Sequence, residues 1–165
     1  MGARSALDRF LDKLAATQAE TLVGLVRFHS RARVLIHPGP IHPVATQMNT
    51  SIHWDSTGSG TNIADGLNVA TREFTRFPKA AKRKIILLTD GGSNQGEDPV
   101  LVAASIKAAG IQLDIICIGG SPDDINEPDL KKMASIVDGE LRCWFIKSVD
   151  GLMLRFEALA LREIR

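Results

Sequence analysis

Two apolar segments that each end in a polar, glycine-rich loop constrain the fold of this chain most strongly. KIILLTDGG (residues 84–92) and IQLDIICIGG (residues 111–120) are rich in Ile and Leu, and TLVGLVRF (residues 21–28) is similarly apolar. Apolar runs of this length are typical of strands that are buried on both faces of a sheet. Segments with helical spacing alternate with them. This alternation predicts an α/β fold with a Rossmann-like, doubly wound and mostly parallel sheet that carries helices on both faces.

The remaining elements follow from hydrophobic periodicity, caps and turn residues. Helices are expected over residues 2–16, 62–74, 128–137 and 149–161, and a further helix begins at Pro99, is capped by Asp98 and is closed by Gly110. Strands are expected for ARVLIHP (residues 32–38), as one antiparallel edge strand after a tight turn at residues 29–31, and for RCWFIKS (residues 142–148). Pro38, Gly39, Pro40 and Pro43 predict a loop, and a short helix is expected after it.

The composition excludes several classes of function. The chain has 165 residues, the size of one domain, and a formal net charge of +1, so we expect neither a nucleic-acid partner nor a membrane partner. No apolar run is long enough for a membrane segment, and the segment after Met1 is amphipathic rather than a signal peptide. We interpret Cys117 and Cys143 as reduced thiols of a cytoplasmic protein. A single disulfide is the alternative, since both lie in or beside expected strands.

Three polar, glycine-rich loops fall at or next to one edge of the predicted sheet. They are STGSGTN (residues 56–62), TDGGSNQGED (residues 89–98) and GGSPDDINEPD (residues 119–129). In open α/β sheets, ligands bind beyond the carboxyl ends of the strands. The order of the chain therefore predicts that Thr61 and Asp90 lie near one another at a ligand site.

Asp90 is an acidic residue at the end of a buried strand, where an unpaired carboxylate is costly. A divalent cation with oxygen ligands is one partner for it, and Thr61 can supply a neutral hydroxyl. Alternatively, Asp90 caps the turn that follows it, and Thr61 caps its own helix. Either motif alone is compatible with both interpretations, a cation site and a pair of caps.

The two motifs together resemble the von Willebrand factor A domain family. GTNIADGL (residues 60–67) and KIILLTDGGSNQG (residues 84–96) are similar to the second and third metal loops of that family. GIQLDIICIGG (residues 110–120) and EPDLKKMASIVDGE (residues 127–140) resemble the rest of its fold. The resemblance implies a Rossmann-like sheet with a metal-ion-dependent adhesion site, where Mg²⁺ or Mn²⁺ accepts a carboxylate from a protein partner. It also implies one vWA-like domain over residues 1–165.

Carried over by position, the resemblance makes Thr61 and Asp90 the metal ligands. Asn62, Gly91, Gly92 and Ser93 would shape the rim of the site. The expected function is that of a non-enzymatic protein-interaction module whose partner presents Asp or Glu. A metal-free scaffold of the same fold is the first alternative. The second alternative is a small Rossmann-like enzyme that acts at the same edge. Such an enzyme needs a base, and no histidine is expected among the rim residues.

The family's first strand and its Asp-x-Ser-x-Ser loop have no counterpart here. We expect Met1 to be an internal methionine of a longer protein, and the alternative is a natural member without that strand. DSTGS (residues 55–59) imitates the loop, but NTSIHW (residues 49–54) before it is not a buried strand, and only Gly60 separates it from Thr61. We therefore reject it as a substitute.

With two ligands where the family uses five side chains, metal affinity should be weak. The gap in the sheet should leave strand edges that favour self-association.

Other candidate residues have simpler interpretations. His37 and His42 lie among prolines and are expected in a surface loop rather than a metal site. Cys117 is expected to be part of the core. Ser93 lacks the Gly-x-Ser-x-Gly pattern of a hydrolase nucleophile. Asp123 and Asp124 are expected to be solvated residues that precede a helix.

Overall fold

The computed structural model describes residues 2–17, 20–43, 60–76, 82–119 and 126–162. The helices are α1 (Gly2–Thr17), α2 (Ile63–Phe74), α3 (Pro99–Ala108), α4 (Glu127–Met133) and α5 (Val149–Arg162). The strands are β1 (Leu22–Phe28), β2 (Ala32–Pro40), β3 (Lys84–Thr89), β4 (Gln112–Ile118), β5 (Ile136–Val137), β6 (Glu140–Leu141) and β7 (Cys143–Ile146). No helix in these ranges is long and apolar enough to cross a membrane.

The main sheet has the strand order β3-β4-β7. β3 and β4 run parallel, with Lys84 opposite Gln112 and Thr89 opposite Cys117, so their carboxyl ends lie at the same edge. β1 and β2 form a hairpin that is a separate two-stranded sheet. Parallel strands that alternate with helices confirm the predicted α/β fold. Within the described residues, β3 pairs with a strand on one edge only, and the missing central strand stays a prediction.

The chain divides into two compact units, which we call the helix unit and the sheet unit. The helix unit comprises the described residues among 1–25, 35–55 and 146–165, and the sheet unit comprises those among 26–34 and 56–145. The expectation of a single domain over residues 1–165 stays a prediction.

The core of the sheet unit surrounds β4. Leu113, Ile115 and Cys117 on this strand are at most 1% exposed. α2, α3 and α4 cover the strand with the apolar side chains of Ile63, Leu67, Ala103, Ile106, Leu130 and Met133. Burying one Leu or Ile side chain contributes about 1.5–3 kcal/mol. This core therefore fixes the strand ends from which the polar loops emerge.

α2 approaches β1 closely in the sheet unit because Gly66 has no side chain. A Cβ atom at this position would lie 2.9 Å from the Phe28 ring. Phe28 in turn packs against the core cluster. The close approach aligns the start of α2 with the end of β1.

In the helix unit, α1 packs against α5. The ring centroids of Phe10 and Phe156 lie 5.2 Å apart, and Leu11, Leu14, Leu152 and Leu159 are buried. This packing confirms the amphipathic helix predicted at the start of the chain.

The helix predicted over residues 128–137 is wrong at its end. α4 ends at Met133, and Ile136–Val137 pair in antiparallel fashion with Glu140–Leu141. Asp138 and Gly139 between them have φ values of 52° and 78°. Two consecutive residues with positive φ form the tight hairpin turn that an Asp-Gly pair favours, and this signal outweighs the helical pattern.

The loop predicted around Pro38 is also wrong, because β2 continues to Pro40. Strands with an unpaired edge tolerate proline, since its missing N–H then breaks no ladder hydrogen bond. Gly24 leaves room for Pro38, because a Cβ atom at position 24 would lie 3.0 Å from the proline ring.

Candidate functional site

The start of α2 places Thr61 in the sheet unit. Asn62 is the N-cap of the helix, and its side-chain oxygen accepts a hydrogen bond of 3.0 Å from the backbone N–H of Asp65. Thr61 lies immediately before this cap. The sequence had left open whether Thr61 itself caps the helix, and the structure gives that role to Asn62.

Asp90 lies at the apex of a turn made by its neighbours. The buried Thr89 hydroxyl donates to the carbonyl of Gly91 at 2.8 Å and accepts from the N–H of Gly91 at 3.3 Å. A threonine hydroxyl that bonds to the backbone two residues on stabilises such a turn. Asp90 is therefore exposed beyond the end of β3 rather than folded back onto the sheet.

The loop after Asp90 clamps the backbone of Thr61. The Thr61 N–H donates to the side-chain oxygen of Asn94 at 2.8 Å. The Thr61 carbonyl accepts from the N–H groups of Asn94 and Gln95 at 2.9 and 3.2 Å and from the Ser93 hydroxyl at 3.2 Å. The structure thus ties together the two loops that carry Thr61 and Asp90, as the order of the chain predicts.

This clamp uses backbone groups of Thr61 and leaves its hydroxyl available. Within the described residues, neither the Thr61 hydroxyl nor the Asp90 carboxylate makes a hydrogen bond or ion pair. The Ser93 hydroxyl, by contrast, is engaged with Thr61 and also accepts from the N–H of Ile63 at 3.2 Å. Ser93 is therefore a structural residue of the rim.

Glycines let the loops approach one another. A Cβ atom at Gly92 would lie 3.3 Å from the Cβ of Asn126, the N-cap of α4. Gly96 has a φ of 81° and lies against the Asn62 side chain, which leaves no room for a larger residue. Gly91 and Gly92 follow Asp90 directly, and their role at the rim stays a prediction.

The hairpin turn between β1 and β2 belongs to the same assembly. The N–H of Asn62 donates to the carbonyl of His29 at 2.7 Å, and the Asp65 carboxylate accepts from the N–H of Ala32 at 2.6 Å. A histidine therefore lies beside the rim, where the sequence analysis expected none. Its ring Nδ1 accepts from the N–H of Ser30 at 2.8 Å, so it stabilises the turn.

The oxygen donors present fit a hard divalent cation, which prefers hydroxyl and carboxylate ligands. The fit is incomplete, because no group of three or more His, Cys, Asp or Glu in the described residues could hold a metal ion. The imitation loop at residues 55–59 and the acidic pair Asp123 and Asp124 lie outside the described residues.

A buried ionic cluster near the amino end of β4 was not predicted from the sequence. The fully buried Asp114 accepts from Nε and Nη2 of Arg142 at 3.1 and 2.8 Å, and Lys84 Nζ lies 3.5 Å away. The hydrogen bond to Asp114 raises the pKa of Arg142 above its usual value. Burial lowers the pKa of Lys84, against the opposing pull of Asp114. The cluster lies toward the opposite end of β4 from the candidate site.

The remaining candidate residues lie in the core or at the surface. Cys117 is 1% exposed, which confirms it as a core residue. Burial raises the pKa of the Cys117 thiol, and it raises the pKa of the Cys143 thiol to about 11. Both thiols are therefore protonated at neutral pH and poor nucleophiles. His37 is exposed in β2, and His42 is exposed in a helical turn at residues 41–43.

An open α/β sheet with oxygen-bearing loops at the carboxyl edge of its strands defines a Rossmann-like α/β domain, a class in which ligands bind at that edge. The profile of the von Willebrand factor type A domain matches residues 2–152, and the chain belongs to this family. Bovine complement factor B is 26% identical over 92% of this chain. The chain spans about 23% of that protein's length.

Solved structures confirm the fold. The proximal thread matrix protein 1 from the mussel byssus superimposes with a TM-score of 0.82 at 18% identity, over 99% of this chain and 42% of that one. A second structure of the same mussel protein has a zinc-occupied MIDAS motif and matches with a TM-score of 0.76 at 20% identity, over 99% of this chain and 40% of that one.

Proposed function

We propose that this chain is a non-enzymatic protein-interaction module that binds a partner carboxylate through a divalent cation held in part by Thr61 and Asp90. One observation carries the proposal. The clamp between the two loops satisfies the backbone of Thr61 while its hydroxyl and the Asp90 carboxylate keep no partner among the described residues. Polar side chains presented without a partner at the carboxyl edge of a parallel sheet are typical of a ligand site.

A bound Mg²⁺ or Mn²⁺ would supply positive charge and coordinate a carboxylate oxygen of the partner. Asp90 would hold the cation with its carboxylate and Thr61 with its neutral hydroxyl. Asn62, Gly91, Gly92 and Ser93 would shape the rim without touching the cation. The zinc in the MIDAS motif of the mussel protein supports a metal site at this edge of the fold.

The partner would be a protein segment that presents Asp or Glu. The raised pKa values of Cys117 and Cys143 and the engagement of the Ser93 hydroxyl support a non-enzymatic role, because these groups lack the activation that a nucleophile needs. A location in the cytoplasm stays a prediction.

Isothermal titration with Mg²⁺ tests the metal site. We expect weak binding, because two side chains provide fewer ligands than a divalent cation requires. Asp90→Ala and Thr61→Ala should abolish the heat of binding, whereas Asp138→Asn, which changes one exposed acidic residue, should leave it unchanged. Tight binding that Asp90→Ala removes would contradict the expected weakness. No binding by the wild type would favour the metal-free scaffold instead.

We also propose that the chain self-associates through an unpaired strand edge. β3 is apolar from Ile85 to Leu88 and, within the described residues, pairs on one edge only. Exposed backbone donors and acceptors on such a strand recruit another strand. Sedimentation velocity should show a mass that rises with concentration, and a concentration-independent monomer would contradict the proposal.

A further inference from the structure

The β1–β2 hairpin turn is bonded to the first turn of α2. Asn62 donates its N–H to the carbonyl of His29 at 2.7 Å and its side-chain amide to the carbonyl of Ser30 at 3.4 Å. Asp65 accepts from the N–H of Ala32 at 2.6 Å. These bonds hold the backbone of residues 29–32 against the residue that follows Thr61. The turn is thus part of the same rim as the candidate metal site.

Arg31 is the charged residue of this turn. Its carbonyl accepts from the N–H of His29 at 3.1 Å, which fixes its backbone. Its side chain is exposed and has no hydrogen bond or ion pair within the described part of the chain. Asp65, the nearby carboxylate on α2, is instead bonded to the backbone of Ala32. A chain spans at most about 3.6 Å per residue, so the backbone of Arg31 is about 7 Å or less from that of His29, which contacts Asn62.

The charges at the rim favour a particular kind of partner. The exposed Asp90 repels an acidic segment wherever a cation does not neutralise it. A positively charged guanidinium attracts such a segment, and the planar fork of donors on Arg31 matches a carboxylate. Charged residues at a rim also accelerate the encounter with an oppositely charged partner.

We infer that Arg31 is a second anchor of the partner-binding surface, and that the partner segment presents two carboxylates. One carboxylate would bind at Thr61 and Asp90 and the other at Arg31. The inference rests on the proposed function and adds a residue that the family resemblance does not supply. It also narrows the partner to a segment with two acidic residues.

The test uses two glycine-rich peptides, one with two aspartates and one in which the second aspartate is asparagine. Binding is followed by amide chemical-shift titration in Mg²⁺ and in EDTA. Arg31→Ala should weaken binding of the two-aspartate peptide by about two- to fivefold, the range of an exposed charge pair. The one-aspartate peptide should bind both proteins alike. Arg72→Ala, which removes an exposed arginine from the last turn of α2, is the matched control and should have no effect.

The outcomes separate the two proposals. Equal affinities for Arg31→Ala and Arg72→Ala, or an equal loss for both peptides, would overturn the role of Arg31 alone. Binding that neither EDTA nor Asp90→Asn changes would overturn the metal-mediated function, whatever Arg31 does. Failure of both peptides to bind would contradict both proposals. Arg31→Lys should retain part of the affinity, since it keeps the charge and loses the fork.

Discussion

Asn94 forms a reciprocal pair of hydrogen bonds with Thr61. Its side-chain oxygen accepts from the Thr61 N–H at 2.8 Å, and its own N–H donates to the Thr61 carbonyl at 2.9 Å. One residue of the β3 loop thereby satisfies both backbone groups of the residue at the start of α2. The pair explains how two loops that lie far apart in sequence stay in register at the site.

Asn94→Ala should loosen this clamp. The Thr61 N–H loses its acceptor, so its amide hydrogen should exchange faster with solvent, and the free energy of unfolding should fall by about 0.5–1.5 kcal/mol. Asn94→Asp keeps an acceptor and should protect the amide nearly as well. Hydrogen exchange followed by NMR measures both variants, and unchanged protection in Asn94→Ala would show that the clamp does not hold Thr61.

Asp114→Asn should destabilise the protein strongly. Arg142 is 5% exposed and would keep a buried charge without its carboxylate partner. Breaking a buried ion pair from one side costs about 3–5 kcal/mol. Urea denaturation measures the loss, with Asp138→Asn as an exposed control that should change stability by less than about 0.5 kcal/mol. A loss as small as that of the control would mean that the cluster is not structurally important.

Gly66→Ala should separate α2 from β1. The added Cβ atom would lie 2.9 Å from the Phe28 ring, and overpacking of this kind costs about 1–3 kcal/mol. Alanine has a higher helix propensity than glycine, so the substitution alone would stabilise α2. A gain in stability would therefore show that Phe28 moves aside without cost. Arg72→Ala on the same helix serves as the control in thermal unfolding, and only the Gly66 variant should show a lower midpoint.

Alkaline pH should destabilise the protein through Cys143. The pKa of its thiol rises from 9.0 to about 11 on burial. Across this window the thiol ionises in the unfolded chain but stays protonated in the folded protein, so the free energy of unfolding falls as pH rises. The lowered pKa of Lys84 acts in the opposite direction, so the measurement is the difference between the wild type and Cys143→Ala. Stability curves that run parallel from pH 9 to pH 11 would contradict a buried, protonated thiol.

Local sequence signals predicted most of the fold because they agree with the tertiary packing. The apolar runs became β3 and β4, and Asp98 caps α3 as expected, with its carboxylate accepting from Val100 at 2.9 Å. The prediction failed at residues 134–137, where an Asp-Gly turn at Asp138 stops the helix. There, a short-range turn preference outweighs a helical pattern that is too short to persist.

The candidate site was predictable only in outline. Chain order predicted that the loops carrying Thr61 and Asp90 lie together, and the hydrogen bonds between Asn94 and Thr61 join those two loops. It could not reveal that Asn94 clamps Thr61 or that the hairpin turn at His29 bonds to Asn62. Such side-chain-to-backbone bonds depend on the exact spacing of loops, which no periodicity in the sequence records. The buried cluster of Asp114 and Arg142 was missed for the same reason, since Asp114 lies on β4 and Arg142 lies far along the chain, between β6 and β7.

Paramagnetic broadening by Mn²⁺ tests the central claim most directly. A cation held by Thr61 and Asp90 should broaden the amide signals of residues 61–62 and 90–93 first, at substoichiometric Mn²⁺, and excess Mg²⁺ should reverse the effect. Asp90→Asn should abolish the localised broadening, and Asp138→Asn should leave it intact. Broadening that appears elsewhere on the protein, or that persists in Asp90→Asn, would contradict a metal site at these two residues.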